Sequence, residues 1–149
     1  MALLEGTKAP DFTLKSTTGS LFSLYQDQSG QKCILYFYPK DFTPGCETEA
    51  CDFRDQFSLF EELKVTIYGI SRDSYETHVK FRKKFELPFH LLSDADGKVS
   101  KMYDASVPLL KISKRITYFI DEELKIAAVY DNFFGAHLHL KRVLEKINR

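Results

Sequence analysis

Three cysteines, Cys33, Cys46 and Cys51, are the nucleophiles whose surroundings speak most clearly. Cys46 follows Thr43-Pro44-Gly45 and opens a stretch with apolar residues at Ala50, Phe53, Phe57, Phe60 and Leu63. Those spacings of three and four predict a helix over 46–62 with one buried face. A cysteine in the first helical turn meets unpaired N–H groups and the positive end of the dipole, and both favour an anion. A thiol of pKa ~8.5 is only about 3% thiolate at pH 7, and lowering it to ~6 gives about 90%. The position suits a reactive thiolate, although a small buried hydrophobe also occupies such places. Cys33 opens an apolar run and reads as core. The chain has no Cys-x-x-Cys pair, which disfavours a thioredoxin-type exchange centre. His137 and His139 are two residues apart and fall on different helix faces. The pattern calls for no metal and no cofactor.

The elements that would position Cys46 are legible around it. Cys33-Ile-Leu-Tyr-Phe-Tyr38, ended by Pro39, reads as a strand buried on both faces. The run 65–70 reads as a second such strand. Ser71 to Ser74 offer caps for a helix to about Phe85. Leu87-Pro88 ends that helix, and 89–92 reads as a short strand. A turn at 94–97 leads into a short helix to about Tyr103. Strands at 116–120 and 126–130 form a hairpin, and a last helix runs over about 136–147. Two short extended pieces, 12–14 and 21–24, flank a turn at Thr18-Gly19. Strand–helix alternation closed by a hairpin and a helix predicts an α/β sheet with helices on both faces, in thioredoxin-like order. One domain over 1–149 is expected.

Composition narrows the partners. The 149 residues carry 21 Lys plus Arg against 21 Asp plus Glu, so nothing favours nucleic acid or an anionic membrane. No apolar run reaches the ~18 residues of a membrane span. No basic stretch followed by an apolar run opens the chain, and the odd cysteine count suits a reducing compartment. A cytoplasmic protein is expected.

The longer pattern resembles a known family. Pro39-Lys-Asp-Phe-Thr43-Pro-Gly-Cys46 matches the Pro-x-x-x-Thr-x-x-Cys signature of peroxiredoxins. The wider segment Tyr36 through Cys51 is similar to the bacterioferritin comigratory protein, or peroxiredoxin Q, subfamily. Lys8-Ala-Pro-Asp-Phe12, Gly69-Ile-Ser71 with Asp73-Ser74, and Arg115-Ile-Thr-Tyr-Phe-Ile-Asp121 extend the likeness along the chain. The resemblance implies a thioredoxin-like fold with a central mixed sheet. It implies a thiol peroxidase acting on hydrogen peroxide and organic hydroperoxides. Cys46 would attack one peroxide oxygen and become a sulfenic acid. Thr43, the Cys46 N–H and Arg115 would donate to the oxygens, and Pro39 would shield the thiolate. Glu49 would hold the Arg115 fork in a bidentate pair.

The same resemblance makes Cys51 the resolving thiol, forming a Cys46–Cys51 disulfide that thioredoxin or a similar thiol reductant reopens. On an ideal helix, residues five apart rise about 7.5 Å, which sets their Cα atoms roughly 8–9 Å apart. A disulfide tolerates at most ~7 Å, so the first helical turns must unwind to form it. The resemblance implies a monomer, since an intramolecular resolving thiol removes the need for a dimer. A peroxide sensor or relay that passes oxidation to a partner protein would share the first chemical step.

Two features depart from the family pattern. Glu47 stands where Thr is common and adds a negative charge beside the nucleophile. Residues 103–114 lack the usual glycines. Within them 107–110 is an apolar stretch in a predicted loop, which packs over the active site or forms an interface.

Overall fold

The computed structural model describes residues 2–131, 143 and 145–147. Its seven-stranded sheet is built on β3 (Lys32–Phe37), whose residues from Cys33 onward are buried on both faces. Alternation along this strand separates two cores. Cys33, Leu35 and Phe37 face one, while Ile34 and Tyr36 face the other. β4 (Val65–Ser71) pairs with β3 in parallel, and β5 (His90–Ser93) pairs in parallel with β4. On the other side β6 (Ile116–Ile120) runs antiparallel to β3, and β7 (Ile126–Asp131) runs antiparallel to β6. β1 (Thr13–Ser16) and β2 (Leu21–Ser23) complete the sheet as an antiparallel edge beyond β5. The order is β2-β1-β5-β4-β3-β6-β7, a mixed sheet as expected.

Helices cover both faces. α1 (Leu24–Gln28) and α5 (Lys98–Met102) send Leu24 and Val99 into the core that holds Cys33. α2 (Pro44–Asp55), α3 (Phe57–Glu62) and α4 (Tyr75–Lys84) send Phe53, Phe60 and Phe81 into the opposite core, which holds Cys46.

Three sequence expectations need correction. The helix expected over 46–62 begins at Pro44, so Cys46 is its third residue. Proline suits a first helical position because its missing N–H would have no partner there and its φ is already set. The same helix breaks at Gln56 (φ −102°, ψ 11°) into α2 and α3. No proline or glycine marks the break, so the apolar periodicity runs through it. Finally, residues 21–24 are not all extended. α1 starts at Leu24, with Asp27 reaching back to accept the Ser23 N–H at 2.8 Å. The helix expected over 136–147, with His137 and His139, lies mostly outside the described residues; Val143 is buried.

Candidate active site

The loop after β3 delivers Cys46. Thr43 is the extended N-cap residue of α2 (φ −117°, ψ 146°), and Glu47 N–H closes the first helical bond onto its carbonyl at 2.9 Å. Cys46 is 2% exposed. Arg115 comes from a different element, just ahead of β6, and is 4% exposed. Pairing of β6 with β3 brings its guanidinium against α2. Its Nη2 donates to Cys46 Sγ at 3.4 Å and its Nη1 donates to Glu49 Oε1 at 2.5 Å. Burial pulls the guanidinium pKa down, but Glu49 and Cys46 more than offset this, and it stays above its ordinary value. For Glu49 the balance is reversed. Burial pushes its carboxyl up to about 7, although Arg115 draws it down.

Gly45 explains how the guanidinium comes so close. A Cβ on this residue would sit 3.0 Å from Arg115 Nη2. A side chain there would press on the cation that faces the sulfur. Sequence reasoning passed over Gly45, although a glycine inside a helical turn is a recognised sign of close approach.

Thr43 and Pro39 occupy the expected loop, with a difference at Thr43. Its hydroxyl donates to the Lys40 carbonyl at 2.7 Å. With that proton engaged, the oxygen offers lone pairs to an incoming group rather than the donor expected from the sequence. Pro39 is half-buried and, with Leu110, Ile112 and Arg72, walls a cavity of about 360 Å³. The apolar stretch 107–110 thus reaches the Pro39 side of the loop, while Leu109 projects fully into solvent.

Cys51 lies two turns along α2, half-buried and not oxidised. Burial raises its thiol pKa, and Arg54 opposes the rise. Both cysteines sit in one continuous helix, so the ideal spacing that separates them holds. Cys33 is apart from all of this, wholly buried on the other face of the sheet. A polar pair that the sequence does not flag lies under the loop, where His78 and Asp41 meet, buried, at 2.6 Å. Its only sequence signal is a histidine on the apolar face of α4.

The AhpC/TSA family model matches residues 6–129. The chain belongs to that family. A Coxiella burnetii protein carrying the bcp peroxiredoxin name is 46% identical over 136 residues, covering 87% of this chain and 89% of that protein. Peroxiredoxin Bcp of Bacillus subtilis is 45% identical over 129 residues, covering 83% and 82%. The crystal structure of peroxidoxin BcpB from Mycobacterium tuberculosis superposes with a TM-score of 0.90 at 33% identity, over 97% of this chain and 96% of that one. These relatives identify the chain as an AhpC/TSA peroxiredoxin of the bacterioferritin comigratory protein and peroxiredoxin Q type, with the thioredoxin-like fold of that group. It is a peroxidase that reduces peroxide at the expense of a thiol. No helix among the described residues is long and apolar enough to cross a membrane.

Proposed function

We propose that Cys46 is the thiol that meets the peroxide, and that Cys51 resolves the product within the same chain. The observation that carries this reading is the Arg115 guanidinium, 3.4 Å from Cys46 Sγ at the start of α2. A cation and a helix N-terminus at one sulfur favour its anion. Cys46 sulfur attacks one peroxide oxygen, the S–O bond forms and the O–O bond breaks. The sulfur is oxidised to sulfenic acid, and the departing oxygen takes a proton and leaves as water or alcohol. Arg115 and the Cys46 N–H stabilise charge on the oxygens, while the Thr43 oxygen accepts the hydroperoxide's proton in a hydrogen bond. Pro39 shields the thiolate, and Glu49 orients Arg115.

Resolution follows when the start of α2 unwinds. Cys51 sulfur then attacks the sulfenic sulfur, releasing water and leaving a Cys46–Cys51 disulfide. A thioredoxin-like dithiol reduces that bond by exchange. The enzyme acts as a monomeric single domain in a reducing, cytoplasmic setting, on hydrogen peroxide and organic hydroperoxides. A coupled assay with thioredoxin and its reductase tests the scheme on wild type, Cys46→Ser and Cys51→Ser. Cys46→Ser should be inactive, and Cys51→Ser should consume one equivalent of peroxide and then stall. Steady thioredoxin-driven turnover in Cys51→Ser, without a Cys46–Cys51 linked peptide in the oxidised wild type, would remove Cys51 from the mechanism.

A further inference from the structure

His78 on α4 is a buried titratable side chain that the reaction as described does not use. Its Nδ1 lies 2.6 Å from Asp41 Oδ2 and its Nε2 lies 3.0 Å from the Leu92 carbonyl on β5. The Leu92 carbonyl only accepts, so Nε2 carries a proton, and one further proton lies between Nδ1 and Asp41; the pair as a whole is neutral whichever partner holds it. Neither side chain of the pair reaches solvent.

Asp41 is held from several directions. Its Oδ1 accepts the Tyr38 hydroxyl at 2.6 Å, and its own N–H donates to Asp73 Oδ2 at 2.9 Å. Asp73 in turn accepts the Ser71 hydroxyl at 2.5 Å. Phe42 follows at φ +61°, a left-handed conformation unusual for a bulky residue. Its ring stands edge-on to Phe81, one turn beyond His78 on α4, with centroids 5.1 Å apart. Thr43 then opens α2. Strained backbone of this kind persists only where its neighbours over-determine it, and here Asp41 and Phe81 fix both sides.

The pair also acts electrically. The Tyr36 hydroxyl pKa is raised first by burial, and then by Glu49, Asp41 and Cys46 together. Asp41 and Cys46 therefore both act on one buried side chain, Tyr36, which Arg115 influences in the opposite direction. A buried ion pair adds little net stability over an apolar pair of the same size, which leaves geometry and charge balance as its contribution. An Asp41 carboxylate without its partner would oppose a thiolate five residues further along the chain.

We propose that His78 is a positioning residue for peroxide reduction. Through Asp41 it fixes the loop at 41–43 that starts α2, and it neutralises a carboxylate that would otherwise disfavour the Cys46 anion. This rests on the reading of Cys46 given above. Asp41, Asp73 and His78 also bring three ligand-type atoms within 4.8 Å of one another, so a cation is a competing occupant of the cluster.

The test compares wild type, His78→Gln, Asp41→Ala and the double variant Asp41→Asn/His78→Gln. The readouts are the pH profile of Cys46 alkylation by iodoacetamide, followed on the Cys46 peptide, and rapid-mixing peroxide reduction. His78→Gln should move the alkylation midpoint up by about one pH unit and slow peroxide reduction about tenfold. The double variant, with a neutral amide pair, should return the midpoint to within a few tenths of a unit of wild type. A fold defect alone would not produce that return. Should His78→Gln fail to fold, Asp41→Ala carries the test through an expected rate loss of about tenfold. Equal profiles and rates in wild type and a folded His78→Gln or Asp41→Ala would overturn the proposal. So would stoichiometric zinc bound by wild type and lost in His78→Gln, because the ring would then be a ligand. Peroxide turnover surviving in Cys46→Ser would instead sink the assignment of Cys46, a separate result.

Discussion

Cys33 and Cys46 lie on opposite faces of one sheet, and both are nearly sealed from solvent, at 0% and 2% exposure. Burial alone drives a thiol away from reactivity. At Cys33 it is the cause that pushes the pKa far above the ordinary range. Cys46 is just as buried, yet it has a guanidinium 3.4 Å from its sulfur and the start of a helix beneath it. With Cys46 as the proposed nucleophile, the difference teaches that donors brought to the sulfur, and not access, would set its reactivity. Those donors come from segments far apart in sequence, joined by the β3–β6 pairing.

Removing the donor should erase most of the contrast. Arg115→Ala should cut the peroxide rate constant by about 10²- to 10³-fold, the cost of losing an oxyanion donor. Stopped-flow consumption of hydrogen peroxide measures it, and a loss under about threefold would mean that the helix start suffices alone.

Changing the donor's partner should have a smaller, pH-dependent effect. The Glu49 carboxyl, raised by burial to about 7 against an ordinary 4.5, keeps its proton in the folded chain over a range where the unfolded chain has released it. Between those values the native state binds more protons. Stability from this group is therefore fully present below about pH 4.5 and is lost as pH rises through 7. Urea unfolding at pH 5 and pH 8 should show wild type losing on the order of 2 kcal/mol more than Glu49→Gln across that span. Parallel losses in the two proteins would mean that Glu49 is ionised throughout.

The smallest effect is expected on the opposite face. Cys33→Ala should cost about 1 kcal/mol of stability, as a modest core truncation does, and should leave the peroxide rate within about twofold of wild type. Thermal melts and the same stopped-flow assay check it. A large rate loss without a stability loss would give Cys33 a chemical role.

Much of this arrangement was readable from local pattern. The apolar run 33–38, ended by Pro39, reads as a doubly buried strand, and Thr43-Pro44-Gly45-Cys46 announced a helix start with a thiol in its first turn. Arg115 and Glu49 were reached by resemblance, since no local rule links residues that far apart. The break at Gln56 left no composition signal. Gly45, Asp41 and His78 were missed for one shared reason. Their importance lies in what approaches them across the sheet and from α4, and that is fixed by tertiary packing. Thr43 was found, but the target of its hydroxyl, the Lys40 carbonyl, depends on how the loop turns.

The most direct test traps the first product. Cys51→Ser protein is treated with one equivalent of hydrogen peroxide in the presence of dimedone, and its peptides are read by mass spectrometry. Cys46 acting as the attacking thiol requires a single dimedone adduct on the Cys46 peptide, formed as fast as peroxide disappears. Peroxide consumed with the adduct on Cys33, or with none on Cys46, would contradict it.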